Sequence, residues 1–131
     1  MIFIDSNVPM YVVGAEHPHK AGARRLLESS IAAGERLVTS AEVFQEILRR
    51  YAAIGRRDAV EPAFELLRAV ADEVFPIELE DVERARGLLL TWRALSARDA
   101  LHLAVLQRRG IGKIFSFDMH FDGIPGVVRI H

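Results

Sequence analysis

Two aspartates stand where the sequence pattern predicts that a strand ends. Asp5 directly follows the apolar run Ile2–Ile4, and Asp118 directly follows Ile114–Phe117. A short, largely apolar run of this kind is typical of a strand buried on both faces of a parallel sheet. Ligands of open α/β sheets bind in the crevice outside the carboxyl ends of the strands. Both aspartates are therefore candidate site residues, with simple capping of the following helix as the alternative for Asp5.

A third aspartate opens a helix that is apolar almost all round. Asp99 lies three residues after Ser96 and directly precedes the run Ala100–Leu106. This spacing also fits a capping box, whose third position favours an acidic residue, and a helix N-terminus attracts negative charge in any case. Both interpretations stay open, because a buried helix that enters the edge of the sheet can serve both roles.

Two glutamates supply a fourth candidate. Glu42 and Glu46 lie one turn apart on the helix predicted for Ala41–Ile54, and Glu46 borders its apolar stripe beside Ile47. Such a carboxylate faces either a cleft or the edge of the solvated face, where Arg49 and Arg50 could pair with it. The pattern does not decide between the two glutamates.

Several carboxylates in one crevice repel each other unless a cation compensates them. At about 6 Å and an effective dielectric constant of about 20, each pair costs roughly 3 kcal/mol. Hard divalent cations with oxygen ligands, such as Mg²⁺ or Mn²⁺, remove that cost. Such ions activate water and stabilise the charge of phosphodiester cleavage. The acidic residues therefore predict a metal-dependent phosphodiesterase site, if the fold brings them together.

The elements that must position these residues alternate between helical and strand patterns. The predicted strands are Ile2–Ile4, Leu37–Thr39, Val74–Ile77, Ile114–Phe117 and Val127–Ile130. The predicted helices are Val8–Val13, His19–Ala33, Ala41–Ile54, Asp58–Ala71, a helix opened by Glu78–Glu83, and Ser96–Arg109. Strands separated by helices indicate right-handed crossovers and a sheet covered on both faces. We expect one domain over residues 1–131, an α/β/α sandwich of three layers around a mostly parallel sheet of about five strands.

Composition narrows the function classes. The 131 residues include no cysteine, which excludes disulfides and thiolate chemistry and fits a cytoplasmic protein. No apolar run approaches the roughly 20 residues of a membrane span, so we expect no membrane association. The net charge of −1 gives no overall attraction to nucleic acid. The basic residues are almost all arginine, however, and Arg binds phosphate through two parallel hydrogen bonds.

The motifs, taken in order, resemble a known family. They are Ile-Asp-Ser-Asn (4–7), Thr-Ser-x5-Glu-Ile (39–47), Arg-Asp-Ala-Leu-His-Leu-Ala (98–104) and Ser-Phe-Asp-x2-Phe (116–121). Their order and spacing resemble a PIN domain over essentially the whole chain, and more narrowly the VapC-type ribonuclease toxins of toxin–antitoxin modules. Each motif is short, but four of them in this order are fairly specific.

The resemblance implies a strand order 3-2-1-4-5 and an endoribonuclease that depends on Mg²⁺ or Mn²⁺. It implies an acidic quartet of Asp5, Glu46, Asp99 and Asp118. Asp5, Asp99 and Asp118 would hold a metal directly or through water, and Glu46 would complete the acidic wall and help to hold a second ion. The products would carry a 3′-hydroxyl and a 5′-phosphate.

The resemblance also implies supporting residues and partners. Asn7 and Ser116 match positions that orient ligands or water around the acidic residues. The partners would be an RNA substrate, a cognate VapB-like antitoxin and a second copy of the chain in a homodimer. His102 is interpreted as a core residue of its apolar helix, and Arg49, Arg50, Arg56, Arg57 and Arg98 as RNA contacts or solvated side chains.

Two alternatives remain. One is a PIN-type nuclease that processes RNA or acts on DNA without an antitoxin, against which the small size argues mildly. The other is a receiver-like phosphoacceptor module without enzymatic activity. That module needs an acidic pair after the first strand and a lysine after the last, whereas Asp5 has no adjacent acid and Lys113 precedes its strand.

Overall fold

A five-stranded, wholly parallel sheet forms the centre of the protein, in a computed structural model that describes residues 1–131. The strands are β1 (Ile2–Ile4), β2 (Leu37–Ser40), β3 (Glu73–Phe75), β4 (Lys113–Phe115) and β5 (Val128–Ile130). Their order is β3-β2-β1-β4-β5, and every neighbouring pair is parallel. The predicted fold class and strand order are confirmed.

Six helices connect and cover the sheet. They are α1 (Asn7–Val13), α2 (Lys20–Ala32), α3 (Ala41–Ala53), α4 (Val60–Val70), α5 (Leu79–Thr91) and α6 (Ala97–Arg109). Helix α1 contacts α2 and α4, α3 contacts α4, and α5 packs along α6. The strand order reverses direction between β3 and β4, so right-handed crossovers put α5 and α6 on the face opposite α1–α4. No helix has the length and apolar character that crossing a membrane requires.

The central strand explains why the acidic residues meet. All three β1 side chains are buried, and β1 pairs with β2 on one side and β4 on the other. Ile4 is opposite Phe115, so the chain leaves the sheet at the same level on both strands. The residues that follow, Asp5 and Ser116, therefore emerge side by side at the carboxyl edge. Helix α6, whose middle from Asp99 to Leu106 is mostly buried, begins beside them and ends at Gly110, whose φ of 67° favours glycine.

Three predicted elements, β3, β4 and α4, have an end that is wrong by two residues, for local reasons. Strand β4 ends at Phe115 and not at Phe117, because its partner β1 ends at Ile4 and Ser116 turns to bond with the site. Strand β3 is Glu73–Phe75 and stops before Pro76, which has no N–H for the ladder. Residues Arg57–Ala59 form a separate 3₁₀ turn ahead of α4.

Candidate active site

The four predicted acidic residues line one cavity of about 420 Å³. It opens at the carboxyl edge of the sheet. Asp5 comes from the end of β1, Glu46 from α3, Asp99 from the first turn of α6 and Asp118 from the segment after β4. Glu42 does not line the cavity. The geometry thus brings the quartet together and favours Glu46 over its neighbour.

Asp5 is held by a set of short polar contacts. Its Oδ1 accepts the Ser6 backbone N–H at 2.8 Å, and its Oδ2 accepts the Ser116 hydroxyl at 2.6 Å. The Asn7 side-chain amide lies 3.4 Å from the same Oδ2. Burial raises the pKa of Asp5, although the positive field of His102 and the Ser116 hydroxyl oppose the rise. Asp5 is thus fixed in orientation, and its only ionic partner within the chain is His102.

Ser116 and Asn7 join the two strand-end aspartates. The Ser116 hydroxyl oxygen accepts the Asp118 backbone N–H at 3.0 Å while the hydroxyl donates to Asp5. Asn7 donates to Ser116 Oγ at 3.2 Å and accepts the Phe117 N–H at 3.3 Å. Both residues therefore lie where supporting residues were predicted. They contact carboxylates of the quartet and fix the segment that carries Asp118.

Glu46 is buried and has two partners. Its Oε2 accepts the Ser6 hydroxyl at 3.0 Å, and its Oε1 is hydrogen-bonded to His102 Nε2. Burial opposes the charge of Glu46, but the bond to His102 and the nearby positive charge outweigh it and lower the pKa. For Glu42, which is only partly buried, burial and the charge of Glu46 raise the pKa. The surroundings of Glu46 thus favour its charged form, whereas those of Glu42 disfavour the charged form.

His102 is a site residue that the sequence analysis missed. It is 1% exposed, as a core residue would be, but its Nε2 lies against Glu46 and 3.7 Å from Asp5 Oδ1. Burial lowers the pKa of His102, but the hydrogen bond to Glu46 and the nearby carboxylates raise it to about 9. Its Nδ1 has no hydrogen-bond partner. The spacing contained a signal, because residues three apart on a helix share a face and Asp99 is three residues earlier.

Asp99 and Asp118 meet at a second histidine. His120 Nδ1 lies 3.4 Å from Asp99 Oδ2 and 3.2 Å from Asp118 Oδ1. Asp118 Oδ1 also accepts the His120 backbone N–H at 2.9 Å. The Asp99 N–H donates to Ser96 Oγ at 3.1 Å, but the reciprocal bond of a capping box is not formed. The carboxylate of Asp99 is therefore available to the cavity.

The donor atoms fall into two groups. Oxygen and nitrogen atoms of Asp5, Glu46 and His102 lie within 4.8 Å of one another, and so do those of Asp99, Asp118 and His120. No Lys or Arg forms a salt bridge with any carboxylate of the quartet; their only ionic partners are the two histidines. A carboxylate-rich set without a fixed basic partner fits a hard divalent cation.

Arginines line the cavity apart from these groups. Of the five that were weighed as RNA contacts, Arg50, Arg56 and Arg98 line it, and Arg49 and Arg57 do not. Arg56 is paired with Asp58 at 3.1 Å. The cavity thus combines carboxylates that can hold a cation with guanidinium groups that can bind phosphate.

Comparisons with known proteins agree with this geometry. The sequence model of the PIN domain matches residues 2–127. The chain is 58% identical to ribonuclease VapC13 of Mycobacterium tuberculosis over 130 residues, which is 99% of both chains. The crystal structure of Mycobacterium tuberculosis VapC20, described as a sarcin–ricin loop cleaving toxin, superposes with a TM-score of 0.74 and 25% identity, covering 97% of this chain and 98% of that one.

A more distant structure shares the fold. VapBC2 from Rickettsia felis, bound to a DNA fragment of its promoter, superposes with a TM-score of 0.75 at 12% identity, covering 99% of this chain and 98% of that one. The family match and the similarity to ribonuclease VapC13 favour the nuclease prediction over the receiver-like alternative.

Proposed function

Since the chain belongs to the PIN domain family and, within it, to the VapC ribonucleases, we propose that it is an endoribonuclease toxin that requires a divalent metal ion and is inhibited by a cognate antitoxin. The observation that carries the proposal is the convergence of Asp5, Glu46, Asp99 and Asp118 on one cavity without a Lys or Arg partner. Each acidic residue comes from a different element, so helix capping alone does not account for the arrangement.

The residues of the site would have distinct roles in the reaction. Asp5, Asp99 and Asp118 would hold the ion, with Glu46 beside them. A bound Mg²⁺ or Mn²⁺ supplies activation of water and stabilisation of charge on the phosphoryl oxygens. Ser116 and Asn7 fix the carboxylate of Asp5, so that little reorganisation is needed when substrate binds. His102 is hydrogen-bonded to Glu46 and keeps that buried side chain oriented.

The reaction is hydrolysis of an RNA phosphodiester. Water attacks phosphorus, and the bond from phosphorus to O3′ breaks. The hydroxyl of the water stays on phosphorus and its other proton goes to O3′, so the products carry a 5′-phosphate and a 3′-hydroxyl. Arg50 and Arg98 line the same cavity and are suited to binding the backbone phosphates next to the one that is cut.

The direct test is metal removal. We expect the purified protein to cleave RNA with Mg²⁺ or Mn²⁺, to lose cleavage in EDTA, and to recover it when Mn²⁺ is added back in excess. New 5′ ends are mapped by sequencing after the chain is induced alone in bacteria. A preparation of the Asp99→Asn variant, purified in parallel, controls for contaminating ribonuclease. Cleavage that persists unchanged in EDTA would contradict the metal requirement.

The antitoxin proposal is supported by the surface around α1. Met10, Val12, Leu26, Val60 and Phe64 are only partly buried, and they lie on α1 and on α2 and α4, the two helices that α1 contacts. An extended or helical peptide can bury such a surface. A basic side chain of that peptide could pair with the carboxylates of the quartet, which form no salt bridge with a Lys or Arg of this chain. Family membership points to a VapB-like protein.

Purification from the native host tests this proposal. We expect the chain to be recovered in a tight, inactive complex with a small protein encoded next to it, because the apolar surface and the carboxylates both need a partner. We also propose a homodimer, supported by Leu79 and Leu90 of α5, which are 73% and 78% exposed. Light scattering measures both assemblies. Recovery of only free, active monomer would count against them.

A further inference from the structure

Four rings form a cluster beside the acidic residues. Tyr11 of α1 stacks on His17 with ring centroids 4.4 Å apart, and Phe117 stacks on His19 at 4.4 Å with an interplanar angle of 17°. Tyr11 and Phe117 meet edge to face at 5.3 Å. We refer to Tyr11, His17, His19 and Phe117 as the aromatic cluster. The site residues described above do not include any of these rings.

Two rings of the aromatic cluster belong to the wall of the acidic cavity. Tyr11 and Phe117 line it together with Asp5, Asp99 and Asp118, and Phe117 directly precedes Asp118. Both rings are partly buried, whereas His17 and His19 are exposed and do not line the cavity. Each lining ring therefore has one exposed imidazole stacked on it.

The lining rings are fixed relative to the carboxylates. The Phe117 N–H donates to Asn7 Oδ1, and Asn7 contacts Asp5 through its amide. Tyr11 lies one turn after Asn7 on α1. A group that stacks on either ring is thus held at a defined position with respect to the residues that would hold the metal.

The chemistry of this wall suits an unpaired nucleobase. Bases that are not in a duplex stack on Tyr, Phe and His side chains, and this stacking tolerates any base because every base has a π face. Arg50 and Arg98 in the same cavity supply positive charge for the phosphates that such a base carries. Ring and guanidinium together match a single-stranded nucleotide better than an aliphatic peptide side chain.

Resting on the proposed ribonuclease function, we propose that Tyr11 and Phe117 form a stacking platform for one unpaired base next to the scissile phosphate. A base inside an A-form helix is stacked on its neighbours and cannot reach the rings.

The test compares two ligands of equal charge, in EDTA so that no cleavage is needed. One is a fluorescein-labelled 12-nucleotide oligo(A), and the other is the same RNA backbone with every base removed. We expect wild-type protein to prefer oligo(A), and Tyr11→Ala to reduce that preference by about tenfold without changing affinity for the abasic strand. Tyr11→Phe keeps the ring and should keep the preference.

Two further variants serve as matched controls. Phe44→Leu removes one ring of the Phe44–Phe64 pair, which does not line the cavity, and should leave the preference unchanged. Arg50→Gln should weaken binding of both strands equally, because a phosphate contact does not sense the base. Phe117→Leu is the second test variant if Tyr11→Ala does not fold, which circular dichroism checks.

The results that would overturn the stacking platform are distinct from a failure of the proposed function. An unchanged preference in folded Tyr11→Ala and Phe117→Leu overturns it, even if wild-type protein cleaves RNA with Mn²⁺. Loss of antitoxin binding with intact RNA preference would assign the rings to the protein partner instead, and overturns it too. Wild-type protein could also fail to cleave RNA while it still prefers oligo(A) and loses that preference in Tyr11→Ala. That result would reject the proposed ribonuclease function but keep the proposed stacking platform.

Discussion

Replacing Asp99 with Asn is expected to reduce RNA cleavage by about 1000-fold or more and to remove most of the stabilisation that Mn²⁺ gives the wild-type protein. Asp99 lies in the cavity with its carboxylate 3.4 Å from His120 and no basic residue of fixed charge bound to it. A lost metal ligand removes several kcal/mol of charge stabilisation from the transition state, and each 1.4 kcal/mol is a factor of ten. Cleavage assays and thermal melts with and without Mn²⁺ measure both effects.

The same variant separates metal binding from helix capping. The cap uses the Asp99 backbone N–H and the Ser96 hydroxyl, so Asn at position 99 leaves that bond in place. In EDTA, carboxylates without a cation repel each other, and we expect Asp99→Asn to melt at a higher temperature than wild type. If the carboxylate mainly favoured the helix start, the variant would be less stable by a few tenths to about 1 kcal/mol, with or without Mn²⁺.

Asp122→Asn is the control for Asp99→Asn. Asp122 lies outside the quartet and forms two hydrogen bonds with the Arg129 guanidinium, at 2.8 and 2.9 Å. The control therefore loses an ion pair, but we expect it to keep cleavage and the response to Mn²⁺. An Asp99→Asn protein that still cuts RNA and gains full stability from Mn²⁺ would refute the metal assignment.

Glu46→Gln and Glu42→Gln are expected to differ strongly. Glu46 is 5% exposed and bonds to Ser6 and His102, whereas Glu42 is partly exposed and does not line the cavity. We expect Glu46→Gln to lower the rate of cleavage by about 100-fold, the upper range for groups that orient metal ligands. Glu42→Gln should change the rate by less than about twofold. Single-turnover assays on the same RNA compare the two variants.

His102 allows a further check on Glu46. If Glu46 acts together with His102, the double variant Glu46→Gln/His102→Gln should lose little more activity than either single variant, because contacting residues are not additive. The single variants must retain wild-type circular dichroism for the comparison. Equal losses from Glu42→Gln and Glu46→Gln, or fully multiplicative losses in the double variant, would contradict the role assigned to Glu46.

The fold could be predicted from local patterns. The apolar run Ile2–Ile4 predicts a central parallel strand that is buried on both faces, and helical periodicity predicts the helices that connect the strands. Gly110 ends α6 in the left-handed conformation that glycine adopts most easily. These features depend on a few adjacent residues, so the sequence contains them directly. The errors, such as strand β4 extended to Phe117, arise where a strand ends because its neighbour ends.

The sequence by itself determined the positions of the carboxylates and the family to which their order belongs. Asp5 and Asp118 follow apolar strand patterns and Asp99 opens a helix, and these local signs together with the family motifs identified the quartet. The structure does bring all four residues to one cavity. A residue that directly follows a central strand, or that opens a buried helix, lies at the edge of the sheet. Its position can therefore be predicted from neighbouring residues in the sequence.

Only the tertiary structure decided the rest. It brought Glu46 and not Glu42 into the cavity, which the family motif implies but the helix pattern leaves open. It also placed His102 and His120 among the carboxylates and Tyr11 and Phe117 in one wall. The contact between Ser116 and Asp5 joins residues 111 positions apart, and that between His102 and Glu46 spans 56. A histidine in an apolar helix reads as a core residue from its neighbours in sequence. The contacts of this histidine depend on which elements pack together across the sheet, and local periodicity does not predict that packing.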